Sequence, residues 1–378
     1  MKKTMVAMIL VGGKGSRLQE MTKDTAKPAV SFGAKYRLID FSLSNITNSN
    51  IDVVGVVTQY EPYDLMNYIG SGASWDLDVI DGGIHFLTPF ARNGDVLWQK
   101  GTAHAIKQYF NFVKEYDASY VLILSGDQIY KMDYQEVLVH HLNHNAEITI
   151  GATKVPQEEA NRFGILEVDS NDLVIGFEEK PKHAKSNLAS MGLYLFNTNV
   201  LEALLYDPKT EDQVDFGKNV IPQSIKEGYK VSAYTFNGYW KDVGTISSLY
   251  EANMDLLDNP DFLTLNSSRH LPIYSKSLNL PPHIILENGV VKNSVIADGS
   301  IIDGEVMHST VGYEMIMHKK AKIEDCVILP NVTILEGVHL KKVIVNKGVT
   351  VPKNYKLISK EVILLDLDNL DKAGKINE

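Results

Sequence analysis

Directly after the apolar run Met5 to Val11 come Gly12-Gly13-Lys14-Gly15-Ser16-Arg17-Leu18. A glycine-rich turn at the end of a strand leaves backbone N–H groups bare. Glycines also let that backbone approach an anion closely. Lys14, Arg17, Lys23 and Lys27 supply the cations to neutralise it. The spacing matches neither common fingerprint. A G-x-G-x-x-G starting at Gly13 would place its third glycine on Leu18, and no G-K-[ST] closes a Walker gap. A plain turn and a phosphate cradle are both open on the glycines alone, and the four cations favour the cradle. Pro28 fixes the backbone just after Lys27, holding that lysine at a set distance from the loop.

Two carboxylates stand out. Tyr120-Val-Leu-Ile-Leu-Ser-Gly-Asp127 reads as a buried strand ending in an aspartate. That is a favoured place for a metal ligand or ribose contact, and equally for a helix N-cap. Asp242 lies in Tyr239-Trp-Lys-Asp-Val-Gly-Thr245, between aromatics and a glycine turn. Two such carboxylates can hold one Mg²⁺, because that ion completes its octahedron with substrate phosphate oxygens. Lys180, in Phe177-Glu-Glu-Lys-Pro181, precedes a proline as Lys27 does, and reads as a surface lysine or an anion contact. His140-His141 reads as part of a polar helix face, with no metal role. No Ser–His–acid set stands out, which fits chemistry in which a substrate oxygen is the nucleophile.

The elements that must position these residues alternate strand and helix over the first two-thirds of the chain. Short β-rich runs are Met5 to Val11, Val53 to Thr58, Tyr120 to Leu124, Ala146 to Ala152 and Gly192 to Phe196. Amphipathic stretches such as Ala103 to Glu115 and Tyr134 to Asn143 lie between them. The pattern predicts an α/β fold, a Rossmann-like, mainly parallel sheet covered on both faces, with ligands at the carboxyl ends of its strands. The last helical signal is Ile246 to Leu257, followed by a proline-dotted connection. Beyond it aliphatic residues recur every six positions: Val290, Ile296, Ile302; Ile328, Ile334, Leu340; Val332, Val338, Ile344. That period marks a parallel β-helix, although Val311 to Lys322 looks irregular; an antiparallel sandwich is the alternative. The division expected is 1–258, a linker over 259–282, and a β-helix over 283–378.

Length and composition agree. The 378 residues suit two domains, with 44% apolar and 22% charged residues as in an ordinary globular chain. A net charge of −10 argues against broad binding to nucleic acid. A single cysteine, Cys326, excludes an intrachain disulfide and suits a reducing compartment. Apolar runs are too short to span a membrane. MKKTMVAMILVGG runs straight into the charged loop and reads as a first strand. The expected location is cytoplasmic.

Taken in order, AMILVGGKGSRL, TKDTAKPAVSFGAKYRLIDFSLSN, GVVTQYEP, KGTAHAI, VLILSGDQIYKMDY, FGILEV, FEEKPK, SNLASMGLYLFN, DFGKNVIP and GYWKDVGT resemble the glucose-1-phosphate adenylyltransferase (ADP-glucose pyrophosphorylase) family of bacterial glycogen synthesis. The resemblance covers about Met5 to Leu257, and the six-residue repeat fits that family's C-terminal left-handed β-helix. It implies transfer of an adenylyl group from ATP to glucose 1-phosphate, with Mg²⁺, in a homotetramer that is alone or paired with a paralogous regulatory subunit. Gly12, Gly13, Gly15 and Arg17 would then hold the ATP triphosphate, with Lys27 beside the phosphates and Arg17, Lys27 and Asp127 catalytic. Gln59 and the Gly101-Thr102 turn would lie near the base. Asp127 and Asp242 would hold Mg²⁺. Gln99, Gly164, Glu179, Lys180 and Ser190 would bind glucose 1-phosphate, and Lys35 an effector.

Three positions depart from the family pattern. Gln99 replaces a usual aromatic, Gln128 a common histidine, and Ala34 the second glycine of a frequent GGK. Two rival readings are a different nucleotide or sugar phosphate and a non-catalytic regulatory subunit. The presence of Asp127, Arg17 and Lys180 argues against the second.

Overall fold

The computed structural model describes residues 2–12, 16–23, 25–89, 91–92, 95–96, 98–207, 214–259 and 271–370. Gly13 and Gly15, expected to bind phosphate, and Lys14 lie outside the described residues. The chain forms two compact units. One comprises Met1–Gly13, Phe41–Gly126 and Tyr130–Trp240; the other comprises Lys14–Asp40, Asp127–Ile129 and Lys241–Glu378.

The first unit is built on a nine-stranded sheet. Met5–Leu10 lies between Val53–Val57 and Tyr120–Ser125, and Gly83–Leu87 flanks Val53–Val57, all in parallel register. The first three of these strands are near-continuous aliphatic runs, and Val53–Val57 is buried at every position, as strands covered on both faces require. Gly55 shows how tight that cover is. A Cβ there would meet Met8 Sδ at 2.8 Å, Leu87 Cδ1 at 2.9 Å and Phe112 Cε1 at 3.0 Å. Beyond Tyr120–Ser125 the sheet turns antiparallel through Leu188–Asn197, which pairs with Gly164–Val168 and Ile148–Lys154. Val174–Glu179 and Val231–Thr235 complete it.

Two local expectations need correction. The stretch Ala103 to Glu115 is two helices, Thr102–Gln108 and Phe110–Glu115, broken at Tyr109, whose φ of −110° leaves the helical region. His141 is not on a polar face. It is 1% exposed in the core, bonded to Thr149 Oγ1 at 2.7 Å and Asn197 Oδ1 at 3.1 Å. Burial and its neighbour His144 push His140 down to about 4.

The second unit carries a three-faced parallel β-helix. One face stacks Ile284–Ile285, Ile301–Ile302, Ile316–Met317, Thr333–Ile334 and Thr350–Val351 in register. The other two faces form one eight-stranded sheet from Val290–Lys292 to Lys356–Leu365. With the six-residue spacing, these stacked strands form the left-handed β-helix. Its interior is a single aliphatic column that includes Ile302, Val306, Ile328, Ile334 and Leu340. The repeat does not lapse after Val311. Val311, Met317 and Ile323 are six apart and at most 1% exposed, so a methionine fills an aliphatic place. Val290, by contrast, points outward. Val291 takes the inward position, in register with buried Val306.

Helix Ile246–Asp258, which starts with a Thr245–Ser248 capping box, is bonded to the β-helix at Thr310 and Asp325. Asn253 is the pin. Its Oδ1 accepts from Gly33 N at 3.0 Å and Thr310 Oγ1 at 3.1 Å, while its Nδ2 donates to Leu249 O at 2.8 Å. One buried amide thus ties the Ser31–Arg37 hairpin, the helix and the β-helix together.

Candidate active site

The charged centre lies in the second unit. Asp127 does not cap a helix. It leads into the short strand Gln128–Tyr130, which pairs with Trp240–Asp242. That pairing brings together two carboxylates that no sequence spacing connects. Lys27 sits in a single turn, Lys27–Ala29, whose second position is Pro28. Its Nζ donates to Asp127 Oδ2 at 2.5 Å and lies 3.6 Å from Asp242 Oδ1. Burial alone would lower the Lys27 pKa. Asp127 and Asp242 outweigh it and raise the value, while nearby Arg17 opposes them. Gly244 keeps this corner open: a Cβ there would come within 3.1 Å of Asp242 Oδ2 and 3.5 Å of Arg17 Nη2.

This donor set fits a divalent cation. A positive charge already sits between the two carboxylates, and both side chains are about one-fifth exposed, at 23% and 22%. Among the described residues no group of three or more His, Cys, Asp or Glu could hold a metal. A cation bound here would therefore complete its shell with water or substrate oxygens.

Within the first unit, Gly12 follows the first strand, held by the Val11 N to Val57 O bond of 3.0 Å. A Cβ on Gly12 would lie 3.2 Å from Gln99 Oε1 and 3.3 Å from Gln59 Cβ. Gln59 Nε2 donates to Gln99 O at 3.1 Å, and Gln99 Nε2 donates to Thr58 O at 3.0 Å. Gln99, expected at the sugar phosphate, is thus tied to Gly12 and Gln59, which were expected at the nucleotide. Gly101 precedes the Thr102–Gln108 helix, and a Cβ there would meet Val214 O at 2.5 Å. Thr102 Oγ1 donates to Asp215 Oδ2 at 3.1 Å and accepts from Phe216 N at 3.0 Å.

A second cluster in the same unit surrounds Glu179, at the end of Val174–Glu179. Its Oε2 fills space that a Cβ would take on Gly164 (2.9 Å) or on Gly217 (2.7 Å). Lys180 holds a left-handed φ of 51° before Pro181, anchored by its N to Phe163 O at 3.0 Å. A lysine held in that sparsely populated region marks a position that its surroundings over-determine. Its Nζ is 3.4 Å from Glu179 Oε1 and the side chain is 58% exposed. Ser190 Oγ accepts from Gly192 N at 3.2 Å. Burial raises the Tyr194 hydroxyl strongly, the Ser190 bond opposes, and the negative field of Glu179 and Asp215 adds to the rise.

Asp215 and Gly217 were not singled out from sequence, although DFGKNVIP contains both. Lys35 lies in the second unit's hairpin, its Nζ 5.9 Å from the Tyr36 ring centre. Ala34 beside it has a φ of 66°, a conformation that explains why glycine suits this position.

Comparison with known proteins agrees with this architecture. Residues 6–259 match the family described as Nucleotidyl transferase, and residues 284–359 match the GlmU-like, C-terminal hexapeptide family. The chain is 49% identical to glucose-1-phosphate adenylyltransferase of Bacillus cytotoxicus over 93% of both chains. It is 48% identical to the enzyme of that name from Bacillus mycoides and 47% to that from Bacillus cereus, with the same coverage. The chain belongs to the nucleotidyl transferase family and, within it, to the glucose-1-phosphate adenylyltransferases. Among the described residues no helix is long and apolar enough to cross a membrane.

Proposed function

We propose that the chain transfers the adenylyl group of ATP to α-D-glucose 1-phosphate, giving ADP-glucose and pyrophosphate for α-glucan synthesis in the cytoplasm. The observation that carries this reading is the Lys27–Asp127–Asp242 cluster, present in a chain 49% identical to a named glucose-1-phosphate adenylyltransferase. A phosphate oxygen of glucose 1-phosphate attacks the α-phosphorus of ATP. The new P–O bond forms as the bond to the bridging oxygen breaks, and the electron pair leaves with pyrophosphate. No enzyme nucleophile takes part.

Catalysis is then positioning and neutralisation of charge on phosphate oxygens. Backbone N–H groups at Gly12, Gly13 and Gly15 and the Arg17 guanidinium bind the triphosphate and the departing pyrophosphate. Gln59 and Gly101-Thr102 bound the base. Lys27 holds the two carboxylates poised and contributes its own charge to the phosphates. Asp127 and Asp242 are the residues that would hold Mg²⁺, which when bound supplies charge neutralisation across the reacting phosphates. Lys180 anchors the acceptor's phosphate, while Glu179, Ser190, Gly164 and Gln99 fix its sugar. Lys35 is assigned to an effector.

The domain division 1–258, 259–282 and 283–378 and a homotetrameric assembly belong to the same proposal. The assembly is supported by an exposed apolar column on the β-helix, Ile284, Ile301 and Ile316, stacked in register. Incubation with ATP, glucose 1-phosphate and Mg²⁺ should give ADP-glucose, followed by ³¹P NMR. Failure to form it, or formation unaffected by chelating all divalent metal, would contradict the reading.

A further inference from the structure

Lys27 is only 8% exposed, and lysines go that far inside a protein only when they are paired. Its ammonium is shared by Asp127 Oδ2 at 2.5 Å and Asp242 Oδ1 at 3.6 Å. The backbone beneath it is held. Lys27–Ala29 is a single turn closed by Val30 N donating to Lys27 O at 3.1 Å, and Pro28 fixes φ at the next position. The ammonium can therefore leave the carboxylates only by rotation of its own four-carbon stem.

The place it fills is the one a divalent cation needs. Magnesium takes carboxylate oxygens at about 2.0–2.1 Å. An ammonium within 2.5 Å of one oxygen and 3.6 Å of the other blocks an ion from bridging the pair. Overlap and like-charge repulsion both forbid sharing. Charge counting points the same way: one ammonium beside two carboxylates leaves a single net negative charge, where a dication would find two without it. Both carboxylates stay open to solvent, at 23% and 22% exposure, while the lysine side chain is at 10%. A cation can thus reach the pair, but a displaced ammonium needs another anion close by. The phosphates of a nucleoside triphosphate supply that anion.

We propose that Lys27 competes with divalent cation for the Asp127–Asp242 pair, so that metal binds tightly only beside a polyphosphate that accepts the displaced ammonium. This rests on the adenylyl-transfer reading and deepens it: the lysine, rather than the acid pair, gates metal entry. The test uses the full-length protein with Mn²⁺ alone as the probe, free Mn²⁺ being read by electron paramagnetic resonance, without nucleotide or turnover. Lys27→Met should bind Mn²⁺ roughly ten- to hundred-fold more tightly than the wild type. Lys27→Arg keeps the charge and should bind as weakly as the wild type. In EDTA, Lys27→Met should melt below the wild type, because two carboxylates lose their counter-charge. Mn²⁺ should then raise its midpoint more than that of the wild type. Lys27→Gln lacks the charge but can still donate to Asp127; it should behave as Lys27→Met does and serves if that variant does not fold. Equal Mn²⁺ affinity in the wild type and the uncharged variants would overturn the proposal. So would a gain that survives adding Asp127→Asn, or one that Lys27→Arg reproduces. A wild type that makes no ADP-glucose yet shows the expected Mn²⁺ series would overturn the adenylyl-transfer reading and leave the role of Lys27 standing.

Discussion

Lys27 Nζ donates a 2.5 Å hydrogen bond to Asp127 Oδ2 across one hundred residues of sequence. The same ammonium lies 3.6 Å from Asp242, so one buried lysine holds together the two carboxylates that fit a divalent cation. Each of the three comes from a separate segment, and Pro28 keeps the lysine's backbone fixed.

The kinetic consequence separates two roles. Asparagine at 127 keeps the size of aspartate and removes the charge that would hold a cation against the phosphates. Asp127→Asn should cost roughly two or more orders of magnitude in kcat with much smaller changes in KM. Lys180 is assigned to a phosphate charged before and throughout the reaction. Lys180→Ala should therefore raise KM for glucose 1-phosphate about ten- to hundred-fold with little change in kcat. Steady-state kinetics distinguishes them, and a raised ATP KM in Lys180→Ala would refute the assignment.

Gly217 offers a test that touches no charged group. A methyl there would fall 2.7 Å from Glu179 Oε2, closer than a Cβ and an oxygen can sit. Gly217→Ala should displace the carboxylate and raise KM for glucose 1-phosphate, leaving KM for ATP near the wild-type value. Unchanged kinetics would show that Glu179 does not position the sugar.

Asn253 predicts a stability effect apart from chemistry. Asn253→Leu would leave Gly33 N and Thr310 Oγ1 facing an apolar group in a buried place. A loss of about 2–4 kcal/mol is expected for two unsatisfied donors, after partial relaxation. Denaturant unfolding measures it, and a loss under about 0.5 kcal/mol, the scale of an ordinary surface change, would contradict the pinning role.

His308 makes stability depend on pH. Its ring bonds Asp325 Oδ1 at 2.7 Å and Asp258 Oδ1 at 2.8 Å, linking the end of the Ile246–Asp258 helix to a β-helix turn. Lys341 also faces this site, 3.8 Å from Asp325 Oδ2, and Tyr250 donates to Asp325 O. Burial would lower the His308 pKa, but its bonds to the two aspartates prevail and raise it above the ordinary 6.5. The stabilisation is therefore complete below pH 6.5 and is lost as pH rises through the higher folded-state value. Thermal midpoints of wild type and His308→Gln should differ more at about pH 6 than at about pH 8.5. A difference independent of pH would show that the ring's charge is immaterial.

Much of this was legible in the chain, for identifiable reasons. Period and composition gave the sheet and the β-helix, because buried parallel strands and inward coil positions both demand aliphatic side chains. The failures were local. Met317 hid a repeat position because methionine fills aliphatic space without looking β-branched. Val290 and Val291 differ by one residue, and on a strand that alone reverses inside and outside. His141 reads as polar yet is buried, its two ring nitrogens satisfied by Thr149 and Asn197. The loop with Arg17, Asp127 and Asp242 could each be nominated from sequence. Their convergence on Lys27 could not, because it depends on the pairing of Gln128–Tyr130 with Trp240–Asp242. Gly217 escaped notice because only a close approach to Glu179 gives it meaning.

The most direct test of adenylyl transfer is pyrophosphate release by the purified chain with glucose 1-phosphate, Mg²⁺ and each nucleoside triphosphate in turn. The account predicts that ATP gives the highest kcat/KM and that ADP-glucose accumulates in step with pyrophosphate. Faster release from dTTP or UTP, or no release from any of them, would contradict it.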